Sequence, residues 1–204
     1  QIETTPVMRG TVHPVRRMHV RAAVERDFGS AEVQVLHFAD LYAGKMAAAL
    51  SRQHPRDLFD IAVLLDGAGV DGELWRTFLV YLTASPNPAA IMLEPSEPHD
   101  FKDVFENHFR GMTREPVTAE RLLEARSRLL ARIPELLDAS TQAFLISVEK
   151  ESPDFNLIGF PEAANLPGVL RKMHNLAGRD AKKREADYRR LHETLERIAR
   201  GRAR

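Results

Sequence analysis

Cysteine is absent from all 204 residues. That removes disulfide staples, thiolate metal sites and thiol nucleophiles together, and fits a reducing, cytoplasmic setting. No apolar run approaches the ~20 residues needed to cross a bilayer, and the amino end lacks the charged-then-apolar pattern of a secretory signal. Net charge is missing as well, since 29 Lys+Arg balance 29 Asp+Glu. The balance argues against a whole-surface polyanion binder and leaves local basic patches open. There is no Walker-type Gly-rich loop, no Gly-x-Ser-x-Gly elbow, and no His-Glu-x-x-His spacing among the eight histidines. Phosphate binding would therefore rely on side chains, and no metal-ligand set is expected.

What is present suits a folded chain: 44% hydrophobic and 28% charged residues can build a core under a solvated surface. The chain opens at Gln1 without an initiator Met, which reads as a piece of something longer. Residues 2–12 and 32–36 are rich in Val, Ile and Thr and are predicted as strands. A short helix over 21–28, stopped by Gly29, lies between them. Two strands alone are marginal in water, so residues 1–37 read as the trailing edge of a sheet whose remainder lies upstream.

From residue 38 the pattern turns helical. Apolar spacing predicts helices over 38–53, 55–65, 71–84, 100–109, from 118 to a kink or restart at Pro134, 135–148 and 167–177. Pro-rich residues 94–100 read as a linker, and 150–161 as a loop closed by Gly159-Phe160-Pro161. Trp75, the sole tryptophan, falls on an apolar stripe and is expected in the core. The fold class is mainly α (α+β): a helical bundle, residues 38–204, attached to a sheet edge, residues 1–37.

The densest polar constellation straddles the turn at Gln53-His54, where Lys45, Arg52, Arg56, Asp57 and Asp60 gather. A short turn makes the flanking helices an antiparallel hairpin. At ~1.5 Å per residue Lys45 stands ~12 Å and Asp60 ~8 Å from that turn, within one helical turn of each other. Asp57 and Asp60 are spaced i,i+3 and share a face. A lysine, two arginines and two carboxylates on one hairpin can hold a triphosphate and orient an attacking hydroxyl. The same residues can also be a surface ion-pair network that fixes the hairpin. His54 suits a turn or capping role.

The run Asp40-Leu41-Tyr42-Ala43-Gly44-Lys45, followed by Arg52-Gln53-His54-Pro55-Arg56-Asp57-Leu58-Phe59-Asp60, closely resembles the AbiEii/AbiGii-type toxin nucleotidyltransferases of abortive-infection toxin–antitoxin systems. Met8-Arg9-Gly10-Thr11, Phe78-Leu79-Val80-Tyr81, and Pro153-Asp154-Phe155 leading to Leu157-Ile158-Gly159 are similar too. The resemblance implies an enzyme that moves a nucleotidyl group from a nucleoside triphosphate, with Mg²⁺, to an acceptor such as tRNA, with a cognate antitoxin as partner. It implies that Lys45 binds the nucleotide's phosphates and that Asp60 belongs to the catalytic site. Arg52 and Arg56 are further phosphate-binding candidates, Arg56 alternatively pairing locally, and Asp57 supports the helix start.

One departure stands beside the match. Such enzymes carry an upstream Gly-Ser followed by Asp-x-Asp, whose two carboxylates point to one side of a strand and hold metal against the triphosphate. No Asp-x-Asp occurs here, and Gly29-Ser30 is followed only by Glu32. The chain is thus expected to be the C-terminal part of the enzyme and inactive alone. A non-catalytic helical module that binds RNA or an antitoxin is the alternative. From Arg179 to Arg204 ten Lys/Arg face five Asp/Glu, which reads as an RNA-docking helix or as a solvated terminal helix. Its thin apolar stripe of Leu191, Leu195 and Ile198 favours packing on the bundle.

Overall fold

A computed structural model describes residues 9–202. Ten α-helices and one two-stranded sheet make up its regular structure, with two short 3₁₀ turns at Phe155–Ile158 and Pro161–Asn165. β1 (Arg16–His19) and β2 (Glu32–Val35) pair antiparallel, Arg16 opposite Val35 and His19 opposite Glu32, and α1 (Ala22–Phe28) connects them. Gly29, at φ 87°, ends α1 with a backbone conformation that a side chain would strain. No residue of β1, α1 or β2 is buried.

The predicted strand over residues 2–12 fares differently. Its first seven positions lie outside the described residues, and residues 9–12 are not strand. The backbone N–H of Val12 goes instead to a carboxylate on a helix, so it is not available to a sheet ladder. β1 was invisible to periodicity because Met18 is the only apolar residue of Arg16-Arg17-Met18-His19.

The bundle begins with α2 (Phe38–Arg52) and α3 (Pro55–Asp66), the hairpin read from the sequence. His37 and His54 cap these two helices, each accepting through Nδ1 from a backbone N–H two residues on. Gln53 turns the corner in the left-handed region at φ 53°. Its side chain is gripped there, accepting from Arg126 Nε at 2.5 Å and donating to the Ser96 carbonyl at 2.9 Å. α4 (Gly72–Thr83), capped by Asp71, packs lengthwise on α2. After the short α5 (Ala89–Leu93) and α6 (Phe101–His108) comes α7 (Ala119–Leu136), which lies on α3.

α7 runs through Pro134, where a kink or restart was expected, and ends two residues later. Pro134 sits in the last turn, so its missing N–H removes one bond near an end that already frays. The break falls at Asp138, whose side chain accepts from Thr141 N and starts α8 (Ala139–Glu149). The segment read as a loop over 150–161 contains the first 3₁₀ turn. α9 (Pro167–Ala177) and α10 (Ala181–Arg202) complete the chain. α10 lays Leu191, Leu195 and Ile198 against α5, α7 and α8.

One core runs through the bundle, with Met46, Ile61, Trp75, Phe78, Leu122 and Phe144 fully buried at its centre. Each such side chain contributes about 1.5–3 kcal/mol by leaving water. Ala43, Ala47 and Ala49 are buried as well, and their small side chains let α4 approach α2 closely.

Candidate functional site

The hairpin carries two ion-pair rungs. Nearer its open end, Lys45 of α2 donates to Asp60 Oδ2 of α3. Nearer the turn, Arg52 grips Asp57 with a fork, Nη2 to Oδ1 at 2.7 Å and Nε to Oδ2 at 3.1 Å. Lys45 and Arg52 lie seven residues apart, two turns of one face, which is why both reach the same neighbour. The rungs differ in burial. Asp57 is 8% exposed and held by the stronger bidentate geometry. Lys45 and Asp60 remain 30% and 32% exposed, so solvent or a ligand reaches both.

Arg56 is exposed and pairs with no carboxylate among the described residues. With Arg52, His54 and Asp57 it lines a cavity of about 260 Å³ at the hairpin tip. A neighbouring cavity of similar size adds Ser96, Glu97 and His99 from the linker. Burial, opposed in part by Asp57 and assisted by Arg56 and Arg52, lowers the His54 pKa. The imidazole is therefore neutral at pH 7 and keeps the Nδ1 lone pair that caps α3. The structure thus brings together Lys45 with Asp60, and Arg52 with Asp57, while Arg56 stands alone facing solvent.

Arg126, on the apolar stripe of α7, shapes the tip from behind. It is 4% exposed, and its guanidinium holds Gln53, Glu97 and the carbonyls of Pro95 and Ser96. These contacts pin the Pro-rich linker over the hairpin. The sequence did carry a signal: an arginine at a core position of a helix must be buried with its donors satisfied.

Asp40 carries more than its first-turn position suggests. It is 1% exposed and accepts from Val12 N at 2.7 Å, His13 N at 2.9 Å and Tyr81 Oη at 2.9 Å. Burial first, then the adjacent carboxylate, raises the Tyr81 pKa, so the phenol stays a donor. This knot ties the segment before β1 to α2 and α4. Nothing local in the sequence announces it, because the partners lie 28 and 41 residues away.

Among the described residues no pair of carboxylates is arranged to hold Mg²⁺ against a triphosphate. Asp57 and Asp60 each answer a side-chain cation, and among the described residues the one group of three or more ligand-type side chains close enough to share an ion is His13, His37 and Glu73. The residues present do not fit that metal. A cavity of about 660 Å³ opens between α6 and the start of α7, and its Lys102 pairs with Glu120 and its Arg110 with Glu106. It holds no grouped catalytic side chains.

No described helix is long and apolar enough to cross a membrane. Compared with known proteins, residues 1–165 match the model of a family described as nucleotidyl transferase AbiEii toxin, type IV toxin–antitoxin system. No curated protein and no solved structure matches the chain.

Proposed function

Because the chain belongs to the AbiEii nucleotidyl transferase toxin family of type IV toxin–antitoxin systems, we propose that its α2–α3 hairpin forms the nucleotide-handling side of a nucleotidyltransferase site. The observation that supports this most is the Lys45–Asp60 pair, joined yet open to solvent. A pair built only to brace the hairpin gains from a forked geometry on a buried carboxylate, as Arg52–Asp57 has. Lys45 is instead placed to leave Asp60 for a triphosphate, since a doubly charged phosphate outcompetes a single carboxylate for an ammonium. Asp60, released in turn, accepts a proton from the acceptor hydroxyl as that oxygen attacks the α-phosphorus and pyrophosphate departs. Arg56 and Arg52 at the tip add cations along the phosphate chain, and Asp57 holds Arg52 and the start of α3 in position.

The same reading takes residues 1–37 as the C-terminal part of a sheet domain and 38–204 as the helical bundle beside it. It takes a nucleoside triphosphate with Mg²⁺ as donor, a tRNA end as acceptor and a cognate antitoxin as partner. The test uses the protein at the length its source cells make, with Mg²⁺, each labelled nucleoside triphosphate in turn, and total tRNA. Label enters RNA with at least one nucleotide, and Lys45→Ala and Asp60→Ala each reduce the rate by roughly 10²–10³, the usual scale for losing one charge-stabilising group. Absence of transfer with every nucleotide overturns the enzyme reading and leaves a non-catalytic helical module that binds RNA or an antitoxin.

A further inference from the structure

A second constellation lies on the other side of α2, where residues 12–13, the start of α2 and α4 meet. Glu73, Thr77 and Tyr81 recur every four residues on α4 and form one stripe. Tyr81 serves Asp40, as described above, and the other two surround His13. Thr77 gives its only proton to the Glu73 carbonyl at 2.9 Å. Its oxygen is then an acceptor, so the contact of His13 Nε2 with it at 3.0 Å places the ring proton on Nε2.

That tautomer leaves the Nδ1 of His13 an acceptor, 3.8 Å from the Glu73 carboxylate. Two acceptors facing each other call for a cation between them. A proton would satisfy these two groups alone, but a third donor is present. The ring of His37 lies 4.4 Å from that of His13, and one ligand atom from each of His13, His37 and Glu73 falls within 4.8 Å of the others.

We propose that His13, His37 and Glu73 form a binding site for a transition-metal dication of the Zn²⁺ or Co²⁺ class. Two imidazoles and a carboxylate suit such borderline ions, whereas Mg²⁺ prefers oxygen alone. Bonds of about 2.0–2.2 Å in a tetrahedral arrangement place ligand atoms about 3.4 Å apart, so groups within 4.8 Å of one another close by about 1.4 Å at most. Glu73 supplies that movement, because its side chain is 56% exposed.

The second shell is already in place. A metal-bound histidine donates its other ring N–H to a fixed partner, as His13 does to Thr77. The backbone of His13 is anchored through Asp40, and the edge of Phe160 packs against the ring at 5.4 Å, excluding water from one side. His37 gives up a long cap bond, 3.3 Å to Ala39 N, to turn a ring nitrogen to the ion. Water takes the fourth position. A bound ion would clamp the segment leading into β1 onto α2 and α4. Spacing rules could not find this site, since its ligands come from three separate segments.

The test is calorimetric titration of the chelator-stripped protein with Zn²⁺, together with the visible spectrum of the Co²⁺ form. One ion per chain, a tetrahedral Co²⁺ spectrum and a higher melting temperature with Zn²⁺ are expected. Glu73→Gln and His37→Asn each weaken binding at least about tenfold. Both variants keep the fold, the first because Glu73 is exposed and the second because Asn also caps helices. His192→Asn, which removes the exposed His192–Glu196 pair on α10, leaves binding unchanged. No binding, or binding that follows His192 rather than Glu73 and His37, overturns the proposal. Neither result bears on nucleotidyl transfer, which rests on other residues.

Discussion

Replacing Asp40 by Ala separates an architectural carboxylate from a chemical one. Asp40 accepts three hydrogen bonds at 2.7–2.9 Å while 1% exposed. Hydrogen bonds to charged groups contribute about 1.5–3 kcal/mol each, and orphaned buried donors are costly. The three are not additive, because water can reach Val12 and His13 once the carboxylate is gone. A loss of about 3–5 kcal/mol is expected. Asp40→Asn recovers part of that loss, since its amide oxygen still accepts from Val12 N and Tyr81 Oη while its NH₂ faces the His13 N–H. With a urea slope near 2 kcal/mol/M, the unfolding midpoint falls by about 2 M. Trp75, 2% exposed, reports the transition by fluorescence, with circular dichroism as the second probe. Asp60→Ala, from a pair about one-third exposed, costs no more than about 1 kcal/mol and moves the midpoint by less than about 0.5 M. The reasoning fails if Asp40→Ala shifts the midpoint by less than Asp60→Ala does.

Gly168→Ala places a Cβ 2.9 Å from Ala84 Cβ and 3.2 Å from the Arg9 carbonyl oxygen, so it lowers stability by about 1–3 kcal/mol through overpacking, measured by urea titration. Asp138 caps α8, and the Thr141 backbone N–H holds its pKa below the ordinary carboxylate value. Its contribution is present above the unfolded pKa and is lost as pH falls through the folded one. Asp138→Ala therefore costs about 1 kcal/mol at pH 7, and the difference from the parent shrinks to nothing in melting curves taken well below pH 4. On α10, Lys182, Lys183, Arg189 and Arg190 are exposed and without carboxylate partners among the described residues. Changing all four to Gln lowers the salt slope of tRNA binding by about 2–3, read by filter binding across salt concentrations, while an unchanged slope removes α10 from the RNA surface.

Helix starts were legible where a cap and a proline or acidic residue sat next to an apolar stripe. Pro55 after His54, and Asp71 before α4, are cases of this kind. The strands were less legible, because β1 has no buried face to impose alternation. Pro134 misled for a positional reason: proline breaks a helix interior, and here it stands in the last turn. At the hairpin, helical arithmetic anticipated the proximity of Lys45 and Asp60. It could not tell that Arg52 would grip Asp57 in a fork and leave Arg56 alone at the tip.

By itself the sequence determined the helical class, the α2–α3 hairpin and the family block from Asp40 to Asp60, because all of these are local patterns of apolar spacing, capping and motif. Tertiary structure alone decided which charges are buried and which stay open, through the packing of α4 and α7 against the hairpin. It also decided that Asp40 would bind backbone 28 residues away and that His13, His37 and Glu73 would meet. Those contacts join segments whose separation along the chain leaves no periodic trace, and only close packing of α2 on α4 brings them within reach.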